Sequence, residues 1–346
     1  MFAVSSPIAI ERRKEGIYLP TLDLFLDPTG PVPRAYLSHA HADHAGGAQS
    51  GVVFASRETV ALVRARLADS ERDAFSSRAR PLDFGEIIDE AGAKLAVQPA
   101  GHVLGASQLV VDHAGGRFVY TGDVSLGGGR THDEGRAIAC DDLLIESTFG
   151  VPIFQWPDKE AETARLIAFC KESIDTGKRA LVLGYALGKA QELCAALLAH
   201  GIDPVLHGAA YRVAVAYEVL GVSLGIRDGR TRAYAHTSRA EPAVVVAPPW
   251  SAKALSKGKV AVAYCSGFAL IDAHVDRYRA DAGFVLSDHA SFDDLLTIAR
   301  ASGAKRIRTT HGQAEELARQ LARNGIEATA LGGDAIDDDA RPEVVP

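Results

Sequence analysis

The feature that most constrains this chain is the run Ser38-His39-Ala40-His41-Ala42-Asp43-His44-Ala45-Gly46-Gly47, which directly follows the apolar segment 35–37. Three imidazoles and a carboxylate fall between positions 39 and 44. Where a strand leaves its sheet, alternate side chains point the same way, so His39 and His41 can grip one cation while Asp43 and His44 turn toward a second. The alanine spacers and the Gly46-Gly47 turn let the backbone curl round an ion. Imidazole nitrogens combined with carboxylate oxygens suit zinc, with manganese as the other candidate, whereas calcium and magnesium prefer oxygen alone. A surface cluster of histidines is the plain alternative, and the small spacers argue against it.

Two more polar residues occupy comparable strand ends. His102 lies in Gly101-His102-Val103-Leu104-Gly105 after the apolar run 94–97, and Asp123 lies in Tyr120-Thr121-Gly122-Asp123 after 118–121. Each alone reads as a turn residue. Beside the first motif they supply the ligands that a closed two-ion site still needs.

The texture of the chain changes near Phe149. Before it, short apolar runs at 8–10, 22–26, 35–37, 52–55, 94–97, 109–111 and 118–121 predict strands, with one helix at 57–67 and a hairpin turn at Gly115-Gly116. After it, the pattern predicts a helix at 159–174, a strand at 180–183, a helix at 189–200, and strands at 243–246, 260–264 and 283–286. Ser291 then caps a helix at 292–301 with Asp294 in the capping-box position, and a last helix at 313–323 stops at Asn324-Gly325. The acidic stretch from Asp337 reads as a frayed tail. The fold class is therefore α+β, and 346 residues allow about two domains.

Charge separates the same regions. The net charge of −7 argues against a generally basic nucleic-acid binder. Yet residues 151–280 hold 16 basic and 12 acidic side chains, a net of +4, against −11 for the rest. Such asymmetry points to a polyanion partner on the middle segment, solvated helix faces being the bland reading. No apolar run approaches the roughly 20 residues of a bilayer span, and the order of charge and apolar residues at the start is wrong for a secretory signal. A cytoplasmic protein with no membrane partner is expected. Cys140, Cys170, Cys194 and Cys265 have no C-x-x-C spacing and are expected to be reduced and buried.

In their order along the chain, H-x-H-x-D-H, Gly-His and Thr-Gly-Asp resemble the metallo-β-lactamase superfamily. Leu144-Ile145-Glu146-Ser147-Thr148-Phe149-Gly150, Ala186-Leu187-Gly188-Lys189-Ala190-Gln191-Glu192-Leu193, Ser287-Asp288-His289 and Thr310-His311-Gly312 resemble its β-CASP nucleases. Cys265-Ser266-Gly267 and the run 276–290 are similar to the bacterial DNA-ligase-associated exonucleases, with Phe268 where that group carries tryptophan. The branch also includes messenger-RNA 3′-end processing factors. The resemblance covers residues of about 8 to 331 and implies an αββα sandwich from 1–150 and 281–335, an inserted α/β β-CASP domain at 151–280, and a flexible tail at 336–346.

It also implies roles. One ion would take His39, His41, His102 and a bridging Asp123; the other would take Asp43, His44, Asp123 and His311. His289 would be the general acid, with Glu146 on its other ring nitrogen, and Asp43 joins these two among the catalytic residues. Glu146 as a simple cap and His289 as another ligand remain open. Asp27 would orient a ligand histidine, unless it is only a turn aspartate before Pro28. The implied activity is metal-dependent phosphodiester hydrolysis: an exonuclease on single-stranded DNA ends in DNA repair, working with a DNA ligase or helicase. RNA processing of the RNase J or 3′-end cleavage type is the alternative, and a non-catalytic scaffold a third. His113, His132, His200, His207, His236 and His274 read as structural. Phe149, Phe154, Trp156 and Trp250 are available for base stacking.

Overall fold

The computed structural model describes residues 7–235 and 243–331. His236 and the tail expected at 336–346 lie outside the described residues.

Short strands with one apolar face build the first sheet: β1 (Glu11–Arg13), β2 (Gly16–Leu19), β3 (Leu24–Leu26), β4 (Arg34–Tyr36), β5 (Val52–Ser56) and β6 (Ala79–Leu82), paired in that order. From β3 to β6 the strands run parallel. Two helices connect β5 to β6. The first, α1 (Arg57–Arg66), starts where the Ser56 side chain accepts the Thr59 N–H, and α2 (Asp69–Arg78) follows. Leu62, Val63 and Phe75 of these helices cover Phe25, Ala35, Val53 and Ala55 on one face of the sheet.

The other face packs on a second sheet, formed by β7 (Ile87–Glu90), β8 (Ala93–Pro99), β9 (Ser107–His113), β10 (Gly116–Tyr120) and β11 (Asp142–Glu146). Leu19, Leu24, Leu26, Tyr36 and Phe54 meet Leu95, Leu109, Val111, Phe118 and Leu144 in that core. The β9–β10 hairpin turns at Ala114-Gly115, one residue earlier than Gly115-Gly116, because Gly116 already pairs with His113.

Helix and strand then alternate: α3 (Lys159–Asp175), β12 (Arg179–Leu183), α4 (Lys189–Ala199), β13 (Val205–Leu206), α5 (Gly208–Val219), β14 (Arg232–Ala233), β15 (Val244–Ala247), α6 (Ala252–Leu255), β16 (Val260–Cys265), α7 (Asp272–Arg277) and β17 (Ala282–Phe284). These strands form a third sheet, ordered β14-β13-β15-β12-β16-β17, in which every ladder is parallel. Parallel strands covered on both faces read as unbroken apolar runs, and Val244-Val245-Val246-Ala247 is one. The third sheet reaches Phe284, past the boundary of 280 expected from the sequence.

The chain then returns to the second sheet through α8 (Phe292–Ser302), β18 (Arg306–Thr310), α9 (Ala314–Arg323) and β19 (Ala328–Ala330), with β18 laid beside β11. Phe292, Leu295, Ile298, Leu317 and Leu321 cover Val119, Leu143 and Ile145. In β11 the period of two is explicit: Leu143 and Ile145 face these helices, while Leu144 faces the first sheet. The layers are thus helices, sheet, sheet, helices, beside a separate parallel sheet.

Residues 8–10 are not a strand; pairing starts at Glu11. Cys170, Cys194 and Cys265 are buried, whereas Cys140 is half-buried, and all four are free thiols. Among the described residues no helix is long and apolar enough to cross a membrane.

Candidate metal centre

In the first two sheets, β3, β4, β8, β10, β11 and β18 each end just before a residue of interest. Asp27 follows β3, the 39–44 run follows β4, His102 follows β8, Asp123 follows β10, Glu146 ends β11 and His311 follows β18. Within each sheet these strands run in a common direction. Their carboxyl ends therefore share an edge, the usual place for a site in an open α/β sheet.

His39, His41, His102 and Asp123 present ligand atoms that all lie within 4.8 Å of one another. His41 Nδ1 is 3.0 Å from His39 Nε2 and 3.1 Å from His102 Nε2. Asp123 Oδ2 lies 3.4 Å from both His39 Nε2 and His44 Nε2, and 3.7 Å from His102 Nε2. On the far side of this carboxylate, His44 Nε2 is 3.5 Å from Asp43 Oδ2, and the His311 ring is centred 5.1 Å from that of His44. The structure thus brings all seven side chains singled out as ligands to one place, with Asp123 between the two groups.

The outer nitrogen of each of four imidazoles is anchored. His44 Nδ1–H donates to Asp27 Oδ2 at 2.9 Å, and His39 Nδ1–H to the Ser38 hydroxyl at 3.0 Å. His41 Nε2–H donates to the Leu187 carbonyl at 3.1 Å, and His102 Nδ1–H to the Asp288 carbonyl at 3.0 Å. With those protons committed outward, the inward nitrogens of His39, His41 and His102 carry lone pairs that face one another, an arrangement relieved by a cation. Burial, reinforced by the neighbouring imidazoles, holds His39 and His102 far below the ordinary histidine range and lowers His41 to about 4. These three imidazoles are neutral at neutral pH. His44 is the opposite case: burial opposes its charge, but Asp123, Asp43 and Asp27 together raise its pKa well above the ordinary value. That excess of carboxylate suits a second positive centre. His311 adds a buried Nδ1 with no hydrogen-bond partner and, at φ 58°, a strained left-handed backbone of the kind found at functional sites. The donor set fits a divalent metal.

Glu146 and His289 also meet. His289 Nδ1 lies 3.2 and 3.1 Å from the two Glu146 oxygens, and its ring is centred 4.3 Å from that of His102. Burial would raise the Glu146 pKa, but His289, the Thr148 side chain and the Val124 N–H leave it lowered. The carboxylate therefore does cap a neighbouring segment, while also holding His289.

Asp27 is more than a turn aspartate. Its carboxylate accepts from Ser38 N and Ser38 Oγ, both at 2.6 Å, from Tyr120 Oη at 2.8 Å, and from His44. Ser38 and Tyr120 were missed by sequence reasoning, although both lie inside the quoted motifs. The carbonyls of Leu187 and Asp288 were missed because a backbone acceptor has no residue-type signature. The other histidines make local contacts: His113 Nδ1 accepts the Gly115 N–H, His200 Nδ1–H donates to the Ala196 carbonyl, and His207 caps α5 by accepting the Ala209 N–H. His132 lies 3.8 Å from Glu192, and His274 stacks on Phe268. Phe149, Phe154 and Trp156 pack on one another next to His289, and Trp250 packs edge-on against His207.

Two packed sheets between helices, carrying a buried histidine and carboxylate cluster at their strand ends, define a metal-binding α/β class. The chain is 33% identical over 324 residues to a probable DNA ligase of Opitutus terrae, covering 92% of this chain and 31% of that protein. It is 30% identical over 200 residues to the cleavage and polyadenylation specificity factor subunit 3-I of Arabidopsis thaliana, covering 49% of this chain and 28% of that protein. The chain therefore spans about a third of the length of these relatives. A crystal structure of a protein of unknown function from Enterococcus faecalis V583 shares the fold, with a TM-score of 0.59 at 16% identity, covering 87% of this chain and 80% of that one. No family model matches the chain. By its motifs and these homologues the chain is similar to the β-CASP proteins of the metallo-β-lactamase superfamily.

Proposed function

We propose that this chain is a metal-dependent phosphodiester hydrolase, an exonuclease whose preferred substrate is the end of single-stranded DNA. The observation that carries this reading is the Glu146–His289 pair set beside the metal cluster, with Asp123, Glu146 and His289 offering ligand atoms within 4.8 Å of one another. Hydrolysis of a phosphodiester requires an activated water and a proton for the leaving oxygen. A thioesterase or lactonase on the same cluster would leave this dyad, and the third sheet, without a role.

Two divalent cations, zinc or manganese, would be held by His39, His41, His102 and Asp123, and by Asp43, His44, Asp123 and His311; when bound, they would lower the pKa of water and neutralise phosphate charge. Asp27, Ser38, Leu187 and Asp288 fix the ring orientations this requires. Glu146 accepts the Nδ1–H of His289 and favours the imidazolium, whose Nε2 proton passes to the departing sugar oxygen. Residues 151–280 act as an inserted domain, and their net charge of +4 guides a strand toward the cleft. Trp156 and Phe268, partly exposed around the buried Phe149, pack with it as one aromatic group at this wall and suit the stacking of unpaired bases.

The relative bearing the name of a DNA ligase supports DNA ends as the substrate and a ligase as partner. RNA is the second reading, supported by the relative named as a cleavage and polyadenylation specificity factor subunit. The test is a time course on matched 5′- and 3′-end-labelled single-stranded DNA and RNA with zinc or manganese. Stepwise shortening of DNA supports the first reading, faster loss of RNA the second, and loss of neither overturns both.

A further inference from the structure

Lys189 opens α4, and its ammonium is paired with the Asp288 carboxylate across 99 positions of sequence. The pair is buried, the side chains being 6% and 10% exposed. A buried ion pair is weak as a stabiliser, because desolvating both charges offsets most of their attraction. Its location suggests another use. Asp288 is the residue whose backbone carbonyl accepts His102 Nδ1–H, and Leu187, two residues before Lys189, supplies the carbonyl that accepts His41 Nε2–H. Gly188 between them has φ 85°, and a Cβ there would lie 2.3 Å from Val103 Cγ1, so the start of α4 is pressed against the residue following His102. The 187–189 turn and the 287–289 loop are separate pieces of chain. Lys189 and Asp288 join them at the point where each presents a carbonyl to an imidazole of the cluster.

We propose that Lys189 is a positioning residue for the metal centre: its bond to Asp288 clamps the two loops so that the Leu187 and Asp288 carbonyls orient His41 and His102. This rests on reading the cluster as a metal site. Outer partners of this kind typically change metal affinity by about 10- to 100-fold. Lys189→Met breaks the clamp but strands the Asp288 charge. The double variant Lys189→Met/Asp288→Asn breaks it without leaving a lone buried charge, so a folded protein is available whichever way the single variant behaves.

The experiment is a zinc and manganese titration of the full chain against a chromophoric chelator, with thermal unfolding of the metal-free proteins in parallel. Expected are a loss of about 10- to 100-fold in affinity for the double variant at near-normal metal-free stability, and recovery of most of that loss by Lys189→Arg, which retains the charge. A folded double variant with unchanged affinity overturns the clamp and leaves the metal reading intact. Failure of the unsubstituted protein to take up either ion overturns the metal reading, and the clamp with it.

Discussion

At the scale of the residue, Asp27 does what a loose turn aspartate cannot: four donors converge on its carboxylate, and its own backbone sits at φ 41° to receive them. Replacing one acceptor oxygen by an amide, as in Asp27→Asn, is expected to loosen His44 and weaken metal uptake about 10- to 100-fold, read by the same chelator competition. His289→Ala separates the two roles left open by the sequence. As the proton donor it is dispensable for binding, so uptake of metal should persist while turnover falls by about 10²–10⁴; collapse of metal content would make it a ligand instead. The side chains of this site were legible because histidine and carboxylate types at strand ends carry their chemistry in the sequence. What held them was less legible. Ser38 and Tyr120 are ordinary residue types, and the carbonyls behind His41 and His102 come from positions 187 and 288, which only the folded chain brings near.

At the scale of the element, strands were readable where burial made them largely apolar, as in β12, β15 and β16, or where one face met a core, as in β8 and β10, two of those that feed the site. Others were not. β6 carries Pro81 and lies at the edge of its sheet, β7 exposes Ile87 at the edge of the next, and α5 is rich in β-branched valine, so its helicity rests on packing rather than propensity. The start of α4 illustrates a polar tie between elements. Glu192 accepts from Thr131 N and Oγ1 and from Arg130 N, holding the loop after Gly129 against the third sheet's layer. Burial opposes its charge, yet His132, Lys159 and these donors keep its pKa below the ordinary 4.5. The folded state therefore binds this proton less readily than the unfolded chain. Its stabilisation is complete above about pH 4.5 and drains away as pH falls through the lower folded value. Glu192→Gln should cost about 1–3 kcal/mol at pH 7 and flatten the acid side of the stability profile, as measured by urea midpoints between pH 7 and pH 3.

At the scale of the whole molecule, ligands contributed by two sheets make metal uptake a folding event as well as a binding one. Saturation at about a hundred times the dissociation constant is expected to add roughly 2.7 kcal/mol to unfolding, seen as a higher melting temperature that a chelator reverses. The opposed charges of the middle segment and the remainder predict that affinity for a single strand falls with salt, by a slope of about −0.7 for each phosphate neutralised. A slope near zero would leave the positive excess without a partner. The switch in texture near Phe149 was readable, and so was a strand at Gly283-Phe284; that this strand pairs with β16 in the third sheet was not, since a ladder partner carries no residue-type signal. His39 and His311 come from opposite ends of the described chain. The other six side chains of the cluster all precede residue 124, and His311 joins them only when β18 is set beside β11. Assembly of the cluster therefore reports closure of the second sheet: a chain in which β18 has not docked holds six of the seven side chains and lacks the strand that seats the last.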